Sequence, residues 1–241
     1  MNPREAITRQ VHALLERETR IKLHRHPVAI HNADGVVVLD GELPDVAAKK
    51  LALELAASVR GVDGVVDRLR VRPGERRGDG AVRDSLVRML CAEREFANCT
   101  IRWRANGRVE TARLVEADAI GEIEIAVSAG VILLEGRVIS QSHRRFAGVL
   151  GWWTPGCRDV VNALAVQPEH EDTDEELADV LHIVLEADPM VDPSFIRANC
   201  RGKTVTLEGA VSTERQKSRA ELDAWALFGV ERVVNRLEVT D

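Results

Sequence analysis

The segment GVVVLDGEL occupies residues 35–43, and two closely similar segments follow it further along the chain. They are GVILLEGRV at residues 130–138 and KTVTLEGAV at residues 203–211. In each copy a leucine, an acidic residue and a glycine follow a run rich in β-branched residues, which is typical of a β-strand. Because one pattern recurs at three places in a single chain, the sequence predicts three tandem structural units.

Two glycines recur at a fixed spacing in every copy. The first lies inside the repeated segment, the second follows 20 positions later, and a valine follows 30 positions after the first glycine. A glycine within a strand often marks a bulge or the close approach of another backbone. A glycine after a helix suits the left-handed position at its end. We therefore predict structural roles for all six, which are Gly41, Gly61, Gly136, Gly156, Gly209 and Gly229.

Helices are predicted before and after the first two strands of each unit. Each copy begins with apolar residues that form one helical stripe: Ile7, Val11, Leu14 and Leu15; Val82, Leu86, Met89 and Leu90; and Leu177, Leu181, Val184 and Leu185. The second helix carries small residues four positions apart, such as Ala52 and Ala56, which let it lie close to a sheet. The sequence thus predicts an α+β fold of three small αββαβ modules. Each would pack two helices on a small mixed sheet, over residues 1–73, 79–168 and 173–241.

The middle copy carries an insertion at about residues 98–118. Leu90 and Gly136 are 46 positions apart, whereas the equivalent residues are 26 and 24 positions apart in the other copies. Asn106 and Gly107 form a favoured two-residue hairpin turn. The insertion is therefore predicted to be an extra β-hairpin.

Three residues of this hairpin are candidates for binding a lipid surface or a partner. Trp103 lies between Arg102 and Arg104 in the sequence. Tryptophan favours membrane interfaces, and arginine favours bidentate contact with phosphate. The alternative is that the hairpin only extends the sheet and that its arginines are solvated.

The repeated unit resembles the BON domain, a family named for bacterial osmotically inducible and nodulation proteins. The resemblance lies in the strand pattern apolar-x-Leu-acid-Gly-x-Val and in the later pattern Gly-Val-x-x-Val-x-(Asn or Asp)-x-Leu-x-Val. Asp67, Asn162 and Asn235 occupy the asparagine-like position. The resemblance covers nearly the whole chain, and the middle copy departs from it through its insertion. It implies an αββαβ fold and non-catalytic binding, often of phospholipid membranes, with periplasmic location in many members.

A basic segment in the first copy is the second candidate site. It runs from Arg20 to Pro27 and places Arg20, Lys22, His24 and His26 at alternate positions, which predicts the polar face of a strand. Arg20, Lys22 and Arg25 are candidates for contact with lipid or a partner. Capture of a metal ion by His24 and His26 is a less favoured alternative, and no third ligand is clearly placed, so no metal site is predicted.

Composition and charge limit the classes of partner. The net charge is −6, and residues 169–241 hold 8 basic and 17 acidic side chains, whereas residues 1–77 hold 14 and 11. Affinity for duplex nucleic acid depends on many contacts with phosphate, so no nucleic-acid partner is expected. The sequence shows neither an apolar targeting segment near its start nor a run long enough to span a membrane. A cytoplasmic location is therefore expected, with the periplasm as the family-based alternative.

Motifs for catalysis or cofactor binding are missing from the sequence. It contains no GxSxG, no phosphate-binding loop of the Walker A type and no HExxH. The cysteines Cys91, Cys99, Cys157 and Cys200 form no CxxC pair and are expected to be reduced. The acidic run Glu169–Glu176 lacks the spacing of a calcium loop and is expected to serve as a linker and helix start. We therefore predict neither an enzyme nor a cofactor.

Two functions follow from these observations. The first is a phospholipid-binding or membrane-surface module, related to envelope stress through the family. The second is a soluble scaffold that binds a protein partner, a small ligand or a cation. The oligomeric state does not follow from the sequence.

Overall fold

The computed structural model describes residues 3–169 and 171–240. The chain divides into two compact units, residues 1–72 and 73–241. The first unit corresponds to the first copy of the repeat. The second unit contains the middle and third copies packed together.

The first unit has the predicted order of helices and strands. Its elements are α1 (Pro3–Arg17), β1 (Val28–Ala33), β2 (Val36–Leu43), α2 (Val46–Ala57) and β3 (Gly64–Val71). Strand β2 is central and pairs antiparallel with β1 and parallel with β3. Alternate residues of β2 point towards the helices and form the core, because successive side chains of a strand face opposite sides.

The second unit contains two further copies of this arrangement. In the middle copy the elements are α3 (Asp79–Ala92), β4 (Cys99–Ala105), β5 (Arg108–Arg113), β6 (Gly121–Ser128), β7 (Val131–Val138), α4 (Gln141–Trp153), β8 (Asp159–Asn162) and β9 (Ala165–Val166). In the third copy they are α5 (Asp174–Ala187), β10 (Ile196–Arg201), β11 (Thr204–Val211), α6 (Glu214–Ala226) and β12 (Arg232–Val239). All three sheets are mixed, so the α+β class is confirmed.

The extra hairpin of the middle copy consists of β4 and β5. Asn106 and Gly107 connect the two strands with φ values of 53° and 74°, as a turn with two left-handed residues requires. Strand β4 pairs in parallel with β6 and so extends the sheet at that edge. The two strands form an antiparallel hairpin, and β5 is the outer strand of the sheet.

The glycine inside each repeated strand lies against another backbone. A Cβ atom on Gly209 would lie 1.9 Å from the carbonyl oxygen of Phe195, and one on Gly136 would lie 2.1 Å from that of Glu122. The glycines that follow the second helices, Gly61, Gly156 and Gly229, have φ values between 87° and 91°. These observations agree with a bulge or close approach at the first position and a left-handed helix end at the second.

The asparagine-like position of the repeat joins the last strand to the second helix. Asn235 donates from Nδ2 to the carbonyl oxygen of Lys217, and its Oδ1 accepts from the amide of Leu237. Asn162 makes the same two kinds of hydrogen bond in the middle copy. In the first copy Asp67 replaces asparagine and pairs with the Lys49 ammonium at 2.8 Å. This position is structural in all three copies.

The basic segment of the first unit is not a strand, so this part of the prediction is wrong. Residues 18–27 form successive turns, and β1 begins only at Val28. Ile21 is fully buried, and Lys22 has a left-handed φ of 49°. Burial of Ile21 anchors the loop, and the left-handed residue beside it prevents the extended backbone that alternation requires. Arg20, Lys22 and Arg25 are exposed on this loop.

A polar interface joins the middle and third modules within the second unit. Arg145 on α4, only 3% exposed, binds Asp172 with contacts of 2.8 and 2.6 Å and donates to the carbonyl oxygen of Phe228. The indole of Trp153 donates to Asp223 on α6 at 2.9 Å. The acidic linker thus takes part in packing through Asp172.

Replacing Arg145 with alanine is expected to destabilise the second unit by about 2–3 kcal/mol, because it removes the buried guanidinium that donates to Phe228 and breaks its charged pair with Asp172. Denaturant unfolding of the full chain, followed by circular dichroism, measures this loss. Arg108→Ala on the exposed strand β5 is the control and should change stability by less than about 0.5 kcal/mol. Equal effects of the two substitutions would contradict a special role for Arg145.

Candidate binding face of the third module

The sheet of the third module has one face that turns away from its helices. Buried Val205, Leu207 and Val211 point towards α5 and α6, so the alternate residues point to the other side. We call this second side the open face. Its side chains are Arg197, Asn199, Arg201, Thr204, Thr206, Glu208, Ala210, Arg232, Val234, Arg236 and Glu238.

Strand register arranges the open face in rows across the sheet. One row consists of Arg197, Glu208 and Arg236, and Arg236 donates to the Glu208 carboxylate at 3.0 Å. Ala210 lies in the next row, beside Glu238. Because the side chain of Ala210 is small, the open face is recessed at this end of the sheet.

A groove of about 610 Å³ lies over this end of the open face. Phe195 lines it and is 73% exposed, the largest exposed fraction among the large apolar side chains of the described residues. Arg197, Arg236 and the two glutamates of the open face complete the charged part of its lining. The site therefore combines an aromatic ring, a shallow floor and charges of both signs.

Charge is unevenly distributed over the third module. Residues 173–241 hold 8 basic and 14 acidic side chains, yet the open face carries four arginines and only two glutamates. The acidic residues are concentrated instead on the linker and the helices. The open face is thus net positive on a module that is strongly negative as a whole.

The three hairpin candidates of the middle module do not form one surface. Trp103 lies on the helix side of its strand, where the Arg83 guanidinium lies 3.8 Å from the ring centroid. Arg102 and Arg104 lie on the opposite side, because successive residues of a strand alternate. Arg102 pairs with Glu122, and Arg104 pairs with Glu124 and Glu135.

Metal and thiol chemistry receive little support from the described residues. In residues 3–169 and 171–240 no three histidine, cysteine, aspartate or glutamate side chains are grouped so that they can hold a metal ion. All four cysteines are free. Burial, with a smaller contribution from Asp174, raises the pKa of Cys200 to about 11, so this thiol is protonated and unreactive at neutral pH. None of the helices in the described part of the chain is long and apolar enough to cross a membrane.

Sequence reasoning missed Phe195 and the arginines of the open face. The signal for the arginines was present, since Arg197 and Arg201 are two and six residues after Phe195 and, together with Asn199, alternate with Ile196, Ala198 and Cys200. Phe195 itself gives no clear signal, because an isolated phenylalanine before a strand is more often buried.

Comparisons with known proteins agree with the repeat. A family model of the BON domain matches residues 3–73, 107–168 and 173–241, and its middle match begins in the turn of the extra hairpin. No curated protein matches the chain. Among solved structures, the C-terminal domain of CdsD, a structural protein of the type III secretion system of Chlamydia trachomatis, is 12% identical over 100% of both chains, with a TM-score of 0.24. A second structure of CdsD is 14% identical over 96% of this chain and 93% of that chain, with a TM-score of 0.22.

Proposed function

The chain belongs to the BON domain family, and on this premise we propose that it is a non-catalytic protein that binds an anionic phospholipid surface through the open face of its third module. The observation that carries the proposal is the exposed ring of Phe195 beside a net-positive sheet face. Membrane surfaces accept an aromatic side chain at the level of the headgroups and attract arginine by charge.

The charge of the whole chain determines how such binding would occur. A net charge of −6 opposes general adsorption to an anionic surface. Binding therefore requires that the positive face be oriented towards the lipid and that the acidic helices face away. Oriented binding of this kind is sensitive to salt, because the attraction is screened within a Debye length. The cytoplasmic location predicted from the sequence is compatible with the proposal, since the cytoplasmic leaflet carries anionic lipid.

Flotation with liposomes tests the proposal, using neutral and anionic vesicles at low and physiological salt. We expect binding to anionic vesicles only, and weaker binding at higher salt. Phe195→Ala should weaken binding about thirtyfold, because insertion of a phenylalanine ring contributes on the order of 2 kcal/mol. Leu114→Ala, which removes another exposed apolar side chain of the same unit, is the control and should bind like the native chain.

Failure to float under every condition would contradict the membrane proposal. The second candidate is then a soluble scaffold whose open face binds a protein. The row of Arg197, Glu208 and Arg236 favours it, because alternating charges suit a protein surface better than a uniformly anionic one.

A further inference from the structure

Two arginines flank one threonine at the end of the open face that lies away from Phe195. Strand register places Arg201 of β10 and Arg232 of β12 on either side of Thr204 in β11. Both arginines are exposed, and Thr204 is partly exposed. Neighbouring strands are about 4.8 Å apart, so the two arginine backbones are separated by about 10 Å. Arginine side chains are long enough to converge above the Thr204 hydroxyl from backbones at this separation.

The guanidinium groups of this pair have no acidic partner in residues 3–169 and 171–240. The neighbouring cations Arg236 and Lys203 differ in this respect: Arg236 binds Glu208, and Lys203 at the hairpin tip binds Glu231. The remaining residues of the adjacent row are Asn199, Thr206 and Val234, which are uncharged. Two positive charges therefore flank the Thr204 hydroxyl, and the acidic neighbour of Arg232 in the sequence, Glu231, is paired with Lys203.

The other two modules show that the fold does not require this pair. The equivalent row is Ala33, Val36 and Gly64 in the first module and Ser128, Val131 and Asp159 in the middle module. The arginines thus occur only in the module with the largest excess of acidic residues. Repulsion between two neighbouring cations destabilises the free protein slightly, and an anion bound between them relieves that repulsion.

We propose that Arg201 and Arg232 form a binding site for a phosphate monoester, with Thr204 as an additional hydrogen-bond donor. The proposal rests on the open face being the binding surface, and it specifies the chemical group that this surface recognises. Arginine matches the oxygens of phosphate with two parallel N–H donors, and two arginines can hold a group that carries close to two negative charges. The monoester can belong to a lipid headgroup or to a soluble molecule.

The first experiment compares vesicles of phosphatidylcholine that contain phosphatidic acid, a monoester, with vesicles that contain an equal charge of phosphatidylglycerol, a diester. The native chain should prefer phosphatidic acid. The double variant R201Q/R232Q should lose this preference and bind phosphatidic acid about tenfold more weakly. The variant R215Q/K217Q removes two positive charges from α6 and serves as the control. The variant R201K/R232K keeps both charges without the planar donors and should bind with intermediate strength.

The second experiment titrates glycerol 3-phosphate into the full chain and follows backbone amide shifts by NMR. Shifts at β10, β11 and β12 that are absent in R201Q/R232Q support the site. If R201Q/R232Q and R215Q/K217Q weaken vesicle binding equally, net charge alone determines the binding and the site is overturned. Vesicle binding without dependence on this pair leaves the membrane proposal standing and removes the site. Binding of glycerol 3-phosphate without vesicle binding supports the site and removes the membrane proposal.

Discussion

Replacing Gly209 with alanine is expected to prevent the third module from forming its native sheet. The added Cβ atom would lie 1.9 Å from the carbonyl oxygen of Phe195, and the φ value of 121° is one that side chains rarely adopt. The clash is with backbone, which cannot move without separating β10 from β11. We expect a loss of at least about 4 kcal/mol, in the range of substitutions that disrupt strained backbone and packing together.

Gly202→Ala provides the matched control for this prediction. Gly202 lies in the turn between the same two strands and also has a positive φ, of 56°, but an added Cβ atom would have no neighbour within 4 Å. It should lose only the cost of a left-handed alanine, about 1 kcal/mol. Chemical denaturation of both variants, followed by circular dichroism, measures the loss at each position. Similar losses at the two positions would show that backbone conformation, and not the approach of Phe195, governs the choice of glycine.

Repetition within the chain made the fold predictable. The strand glycine, the helix-terminal glycine and the closing valine recur at fixed spacing, so each copy supported the reading of the other two. The turn of the extra hairpin was also predictable, because Asn106 and Gly107 favour one turn geometry strongly. These are local preferences that operate wherever the sequence occurs.

The candidate site was less predictable because it depends on which face of a strand each residue occupies. Trp103 and its neighbouring arginines are adjacent in the sequence, yet alternation places the ring under Arg83 and the arginines on the other side. The conformation of the basic loop in the first unit was not predictable from its sequence pattern either. Its alternating charges resemble a strand, but the burial of Ile21 fixes a turn instead. Tertiary contacts decide both cases.

The interface between the middle and third modules coincides with a departure from the repeat in the second helix of the third copy. Asp223 occupies the position of Leu55 and Leu150 in the other copies, so an acid replaces an apolar residue of the second helix. In the structure this acid is only 1% exposed and accepts a hydrogen bond from Trp153 of the neighbouring module. A departure from the repeat therefore marks the place where two copies meet.

Asp223 is expected to make the stability of the second unit depend on pH. Burial is the main cause that raises the pKa of this carboxyl, and the charge of Asp188 raises it further, while Arg219 and the Trp153 indole act in the opposite direction. The resulting pKa is about 8, against 3.8 for an unperturbed aspartate. Asp188 is itself 2% exposed and pairs with Arg219, so the two carboxyl groups share one cation.

The direction of the effect follows from proton binding. The folded protein holds a proton on Asp223 more tightly than the unfolded chain does. Its contribution to stability is therefore full below pH 4 and is lost as the pH rises through about 8. The change in pKa from 3.8 to about 8 corresponds to roughly 6 kcal/mol, and above that pH this contribution no longer changes. Above pH 8 two buried carboxylates face a single arginine, and the contact between α4 and α6 is weakened.

Asp223→Asn should remove this dependence, because the amide keeps an oxygen for Trp153 and a donor for Asp188 but does not ionise. Between pH 5 and about pH 9, the free energy of unfolding of this variant should lack the decrease that Asp223 causes in the native chain. At the alkaline end it should exceed the native value by several kcal/mol. Asp179→Asn, on an exposed position of α5, should instead follow the native profile in parallel. Denaturant titrations at a series of pH values give the measurement. A native chain and an Asp223→Asn variant whose profiles run parallel would mean that Asp223 is ionised in the folded protein, and that Arg219 compensates both carboxylates at once.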